Sequence, residues 1–326
     1  MEKKYEAING LRAYSCLGIV MMHILSVAKY ATNGFVFKQV IPSFTHLVFL
    51  FMTISGFGMC CGYYDKFMSG KIDIVSFYRK RYLKILPFFA FLSVIDVILA
   101  PSISSVYEAF ANVTLVFGLI PNANISVIGV GWFLGVVFAF YFLFPFYCFL
   151  LSTKKKAWIT FAISCALNYI CNAYFGVERE SIVFCFCFFV SGGIIYLYRD
   201  LIASKRGIRW AALFIMVIMS MVYFSVATKI FIILLFDITA VIFAVSLVGN
   251  NLLNNCITKF ISGFSLEIYL CHMVIYRAAE KMHLLRMTSN DYINYFFTVV
   301  IVFSGAVLVA WGWKAITRVV ATWMKR

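Results

Sequence analysis

The stretch AINGLRAYSCLGIVMMHILSVA, residues 7–28, decides the fold. At 1.5 Å per residue it is long enough to cross about 30 Å of hydrocarbon as one helix. Within it, the side chains able to carry positive charge are Arg12 and His23. No small-residue cleavage pattern follows, and more apolar runs come after it, so it reads as a retained span rather than a secretory signal.

Working outward, comparable runs recur at about 41–63, 84–100, 129–151, 157–174, 181–198, 209–226, 229–249, 260–277 and 293–314. The segment 104–121 is apolar too, but it carries Glu108, Asn112 and Thr114 and ends at Pro121-Asn122. The whole chain has this character. Of 326 residues 63% are hydrophobic and 13% are charged, with a mean hydropathy of +0.94. Soluble domains carry about 25% charged residues, so the bilayer is the expected solvent. The expectation is an all-α, polytopic integral membrane protein, folded as a single membrane domain over 1–326.

The net charge of +15 does not read as a nucleic-acid surface, because the basic residues sit between apolar runs. If 104–121 does not span and the N-terminus is cytoplasmic, twenty of the 28 Lys and Arg fall on the inner side and seven on the outer, with Arg12 inside the first span. If 104–121 did span, Lys154 to Lys156 would face outward and every later loop would invert. The positive-inside bias therefore selects ten spans with both termini cytoplasmic. It leaves 104–121 as an outer-face amphipathic or re-entrant piece, of the kind tolerated beside protein or water. The ten cysteines show no metal-ligand spacing and lie mostly within apolar runs, so they read as small hydrophobes and no metal is expected.

Charge within a span is costly and faces a cavity or a partner. Arg12 and His23 are 11 positions apart, which is within about 20° of whole turns and about 16 Å along the axis. They share one helix face, with Arg12 toward the cytoplasm and His23 deeper. A cation near the inner face suits a phosphate-bearing donor, and a deep histidine suits proton transfer from a hydroxyl. The same spacing is served by an arginine snorkelling to headgroups and a histidine making one interhelical bond. Ser265, Tyr269 and His272 share another face, read either as a site or as helix–helix glue. Asp237 and Glu267 are further in-span carboxyls, facing a cavity or paired with a base, and Asp96 lies near an outer end. The run Phe77-Tyr78-Arg79-Lys80-Arg81-Tyr82-Leu83-Lys84 is either an anchor at anionic lipid or a docking place for phosphates.

Taken in order, these motifs resemble acyltransferase family 3, the bacterial membrane O-acyltransferases. Asn9-Gly10-Leu11-Arg12-Ala13 followed by His23 is similar to that family's opening helix. Phe49 to Phe57, including Ser55, resembles its second helix. Phe77 to Pro87 resembles a basic loop leading to a proline, Trp132-Phe133-Leu134 with Tyr141 and Pro145 its central span, and Ser265 with Ile268-Tyr269-Leu270 and His272 its late helix. There are departures. Asn9 stands where an aspartate is common, and Lys84 stands where a second arginine is frequent. The acidic pair of some central spans is absent, and Glu267 interrupts the late motif.

The resemblance implies an enzyme that moves an acyl group, most often acetyl, from cytoplasmic acyl-coenzyme A (acetyl-CoA) to a hydroxyl of a surface or lipid-linked glycan. It further implies a multi-pass protein of the bacterial inner membrane, a single-domain member without a fused hydrolase-like domain. His23 and Arg12 would be catalytic, with His23 the general base or a transient acyl carrier. Arg79, Arg81 and Lys84 would bind the donor, and Ser55, Trp132, Glu267, Tyr269 and His272 are further candidates. The partners expected are the lipid bilayer and the sugar acceptor, not nucleic acid. The alternative is a transporter or flippase of an acyl group or glycan intermediate, against which the lack of an inverted repeat counts.

Overall fold

The computed structural model describes residues 5–99, 101–114, 130–226, 229–247, 251 and 253–323. Among them every regular element is helical. In chain order the main helices are α1 (Ile8–Ala28), α2 (Leu47–Met59), α3 (Ile74–Leu99), α4 (Ile103–Thr114), α5 (Trp132–Leu150), α6 (Lys154–Phe175), α7 (Ile182–Leu197), α8 (Arg206–Tyr223), α9 (Ile230–Ser246), α10 (Cys256–Gly263), α11 (Ser265–Lys281) and α12 (Asp291–Trp323). Among the described residues, five helical runs are long and apolar enough to cross a membrane: Ile8–Ala28, Val36–Met68, Trp132–Leu150, Arg206–Tyr223 and Asp291–Val319. The helices Ile182–Leu197 and Ile230–Ser246 are apolar but shorter.

Local sequence accounts for the ends. Thr153 opens α6 by accepting the Lys156 N–H at 3.2 Å, and Gly176 closes it at φ +63, a conformation glycine adopts without strain. Ser181 opens α7 by accepting the Val183 N–H at 3.2 Å. Asn255 and Thr258 form a capping box at the start of α10. Asp73 opens α3, accepting the Val75 and Ser76 N–H groups at 3.1 Å each. That cap starts the helix ten residues before the apolar run expected at 84–100. The basic run is therefore helical rather than a loop, and Pro87 lies inside α3. The run expected at 41–63 belongs to a longer helical stretch, Val36–Met68, which includes π-helical turns at Val36–Val40 and Cys60–Tyr64. The run 260–277 is divided at Phe264, between α10 and α11. The first part of 104–121 is α4, which turns back along α3 and sets the Asn112 amide 3.5 Å from the Ser93 hydroxyl. The remainder, from 115, lies outside the described residues.

The chain divides into two compact units. One comprises Met1–Ile8 and Phe49–Leu253. In it α6 packs on α7, α8 on α9, and α7 also meets α5 and α9. Its core is aromatic: the Phe140 and Phe189 rings stack at 4.0 Å, and Phe49 and Phe188 at 4.5 Å. Such pairs add about 0.5–1.5 kcal/mol beyond burial. The crossing of α2 and α7 is fixed by two glycines. A Cβ on Gly56 would overlap the Phe189 carbonyl oxygen, and one on Gly192 would overlap the Thr53 carbonyl oxygen. With little hydrophobic drive between helices in lipid, close backbone packing of this kind holds spans together.

The other unit comprises Asn9–Val48 and Asn254–Arg326. Here α11 and α12 form an antiparallel hairpin. Small residues admit the neighbours: Gly305 of α12 faces Ile275 of α11, and Gly18 of α1 faces Leu47 and Phe44. The Tyr295 hydroxyl donates to the Met21 carbonyl at 3.1 Å, tying α12 to α1. Cys16 of α1 donates to the Ser265 carbonyl at 3.6 Å, tying α1 to α11. α1 is thus held at two levels, with His23 above and Arg12 below.

Candidate active site

Two of the expected residues meet in the second unit. The His23 ring of α1 and the His272 ring of α11 lie 5.2 Å apart, centroid to centroid, tilted by 46°. His272 is fully buried, while His23 is half-buried. The His272 Nδ1 lies 2.7 Å from the Tyr269 carbonyl oxygen. A carbonyl only accepts, so Nδ1 carries the hydrogen and Nε2 keeps the lone pair. That Nε2 is buried without a hydrogen-bond partner. The Tyr269 ring stands 6.0 Å from the His272 ring. The arrangement is one reachable imidazole beside a second, dry one whose orientation is set by its own helix.

Arg12 lies on the same unbroken helix as His23 and is half-buried, about 16 Å away along the axis. Between those two levels, close to Cys16, Glu267 of α11 pairs with Lys314 of α12 at 3.3 Å. Lys314 also donates to the Gly263 carbonyl and lies 4.5 Å over the Phe264 ring. Of the two readings open for Glu267, the paired one holds. The Ser265 hydroxyl donates to the Ser262 carbonyl at 3.1 Å, within its own turn.

At the other end of α1 and α11 is a pocket of about 540 Å³, lined by Val27, Ala28, Lys29, Tyr30, Tyr276, Glu280, His283, Leu285 and Arg286. None of the pocket's residues is among the candidates drawn from the sequence. Its polar residues come from beyond the two apolar runs, although Val27 and Tyr276 continue the His23 and His272 stripes by one helical turn each. That i+4 continuation was the available signal.

The remaining candidates belong to the first unit. Arg81 of α3 points into an aromatic cradle, its guanidinium 4.5 Å from the Tyr63 ring centroid and 5.5 Å from that of Tyr141. Its Nε is buried without a hydrogen-bond partner. Arg79, two residues earlier, is exposed, and two residues is about 200° around a helix, so the two arginines do not converge. Lys84 is exposed one turn on. Trp132 opens α5 with the Arg179 guanidinium 5.4 Å over its ring. Ser55 is half-buried beside Gly56. Asp237 of α9 is buried, and its Oδ2 has no partner.

No curated protein and no solved structure matches this chain. A family model described as an acyltransferase domain, of acyltransferase family 3, matches residues 5–314. That match covers both histidine-bearing helices, α1 and α11, the basic helix α3, and most of α12. It agrees with the apolar helices and with the order of motifs, and it selects an enzyme over a carrier. The chain belongs to acyltransferase family 3 and is a membrane acyltransferase.

Proposed function

We propose that the protein is an O-acyltransferase, taking acetyl from acetyl-CoA at the cytoplasmic face of the bacterial inner membrane and esterifying a hydroxyl of a surface or lipid-linked glycan. The observation that carries this reading is the His23–His272 pair, with rings 5.2 Å apart inside the family-matched region. His23 is the general base. It is the half-buried member, so a substrate reaches it, whereas His272 is sealed. As the acceptor oxygen attacks the thioester carbonyl, His23 takes the hydroxyl proton. The carbon–sulfur bond breaks, coenzyme A leaves as the thiolate, and His23 returns the proton to it. His272, with Nδ1 bound to the Tyr269 carbonyl, positions His23 rather than touching substrate. Arg12 orients the site from the inner side.

Arg81 meets a phosphate of coenzyme A. Two tyrosine rings hold its guanidinium, which leaves N–H groups for a planar, bidentate grip. Arg79 and Lys84 are exposed and add general attraction for the donor. Ten spans with both termini cytoplasmic complete the topology.

The test uses purified protein in lipid nanodiscs with [14C]acetyl-CoA and glycan extracted from the native envelope. The reading expects alkali-labile label on the glycan. Acetyl-CoA left intact, with glycan unlabelled, refutes it.

A further inference from the structure

The pocket at the C-terminal ends of α1 and α11 has a fixed frame. The Tyr30 hydroxyl donates to the Leu285 carbonyl at 2.7 Å and lies 2.7 Å from the Thr298 hydroxyl. Arg286 stands 5.7 Å over the Tyr30 ring and donates to the Ala28 and Lys29 carbonyls at 3.5 Å. The Asp291 carboxylate accepts the Ala31 N–H at 2.7 Å. α11 ends in a Schellman motif, with the Leu284 N–H donating to the Ala279 carbonyl and the His283 N–H to the Glu280 carbonyl, each at 3.0 Å. Lys29, with φ +49, and His283, with φ +57, are the two non-glycine residues in the left-handed region among the described residues, and both line this pocket. A left-handed conformation is unfavourable for such residues, and the surrounding bonds hold it in place.

The lining is chemically mixed. Lys29 and Arg286 are cations and Glu280 is an anion. Two helix C-termini converge here, each worth about half a negative charge, and Arg286 already answers the carbonyls of one. With the Asp291 carboxylate beside Arg286, two cations and two anions balance before the helix ends are counted, so the field offers no net attraction to an anion. Donors (Lys29, Arg286), an acceptor (Glu280) and two tyrosines together suit a ligand that both donates and accepts and has an apolar ring face. Val27 and Tyr276 stand one turn, about 6 Å, beyond His23 and His272. The pocket thus begins one turn beyond the histidine pair, on the same two helices, although neither histidine lines it.

We infer that this pocket seats the acceptor as an uncharged sugar ring, with the Glu280 carboxylate accepting from its hydroxyls and Lys29 donating to it. This rests on the acyl-transfer reading above and adds the seat of the acceptor and its charge class. A volume of about 540 Å³ accommodates one or two sugar rings.

The experiment is saturation-transfer NMR on the full chain in nanodiscs, with the methyl glycosides of glucose, galactose and mannose as probes, alongside methyl glucuronide and glucose 1-phosphate. The inference expects at least one neutral glycoside to bind, and both acids to bind more weakly. Glu280→Gln should weaken the neutral sugar about tenfold, the effect of losing a hydrogen bond to a charged group. Lys281→Gln, an exposed neighbour outside the lining, is the control and should change nothing. Binding of none of the neutral sugars, tighter binding of either acid, or undiminished binding to Glu280→Gln overturns the inference. The acetyl-transfer assay is scored separately. Ester formation with sugar binding indifferent to Glu280 removes the pocket and leaves the enzyme reading. Sugar binding that depends on Glu280, without ester formation, does the reverse.

Discussion

Replacing Gly192 by alanine tests the packing of α2 on α7. The new Cβ would overlap the Thr53 carbonyl oxygen, and it would lie 2.6 Å from the Phe57 nitrogen and 3.1 Å from the Gly56 carbonyl carbon. Ordinary carbon contacts start near 3.5 Å, so the helices must part by about 1 Å. Every one of these atoms is backbone, so no rotamer change relieves the clash. Overpacking of this kind costs about 2 kcal/mol, or about 5 °C in midpoint for a unit of this size. Gly207→Ala is the matched control: it lies in α8 with nothing within 4 Å of its notional Cβ, and alanine there should be neutral or stabilising by up to about 1 kcal/mol. Thermal unfolding of detergent-solubilised protein, followed by circular dichroism, compares the two. Equal midpoints for Gly192→Ala and wild type would show that the backbones do not touch at this crossing.

Three further outcomes follow from the same geometry. Lys314→Met leaves the Glu267 carboxylate without its cation and should cost about 1 kcal/mol, the pair being partly exposed; adding Glu267→Gln should recover most of that in the same melt. In donor titrations, Arg81→Lys should raise the KM for acetyl-CoA about tenfold, because lysine keeps the charge but loses the fork and the stacking, while Arg79→Lys should change it less than twofold. The capping bonds from Ser76 hold the Asp73 carboxyl below the usual carboxylate range. A group lowered in the folded state stabilises above its unfolded pKa and loses that contribution as pH falls through its folded value. Asp73→Asn should therefore flatten the acid limb of proteolysis at the 69–73 turn, and an unchanged limb counts against the cap.

Much of α1 was legible because a bilayer span states its own length and a charge inside it is conspicuous. The 11-residue spacing of Arg12 and His23 survives as one face of one helix, since α1 holds no proline and runs unbroken through Gly18. The late stripe was legible in part: Tyr269 and His272 were named, but that His272 faces His23 is a tertiary fact that no spacing encodes. Lys314 closes the apolar run at 293–314, and its pairing with Glu267 follows only from the α11–α12 hairpin. Sequence alone groups Arg79, Arg81 and Lys84 of the basic run as binding the donor. Helical phase separates them, sending Arg81 to the tyrosines and Arg79 to the surface. The pocket was least legible, because Tyr30, Glu280 and Arg286 lie past the ends of apolar runs, where composition reads only as loop.

The central claim is that His23 performs the acyl transfer. Its most direct test is the rate of [14C]acetyl transfer to glycan by purified His23→Ala protein, matched to wild type for membrane level and melting temperature. The account predicts a loss of at least about a hundredfold, the usual worth of a positioned general base. Transfer at the wild-type rate would contradict it.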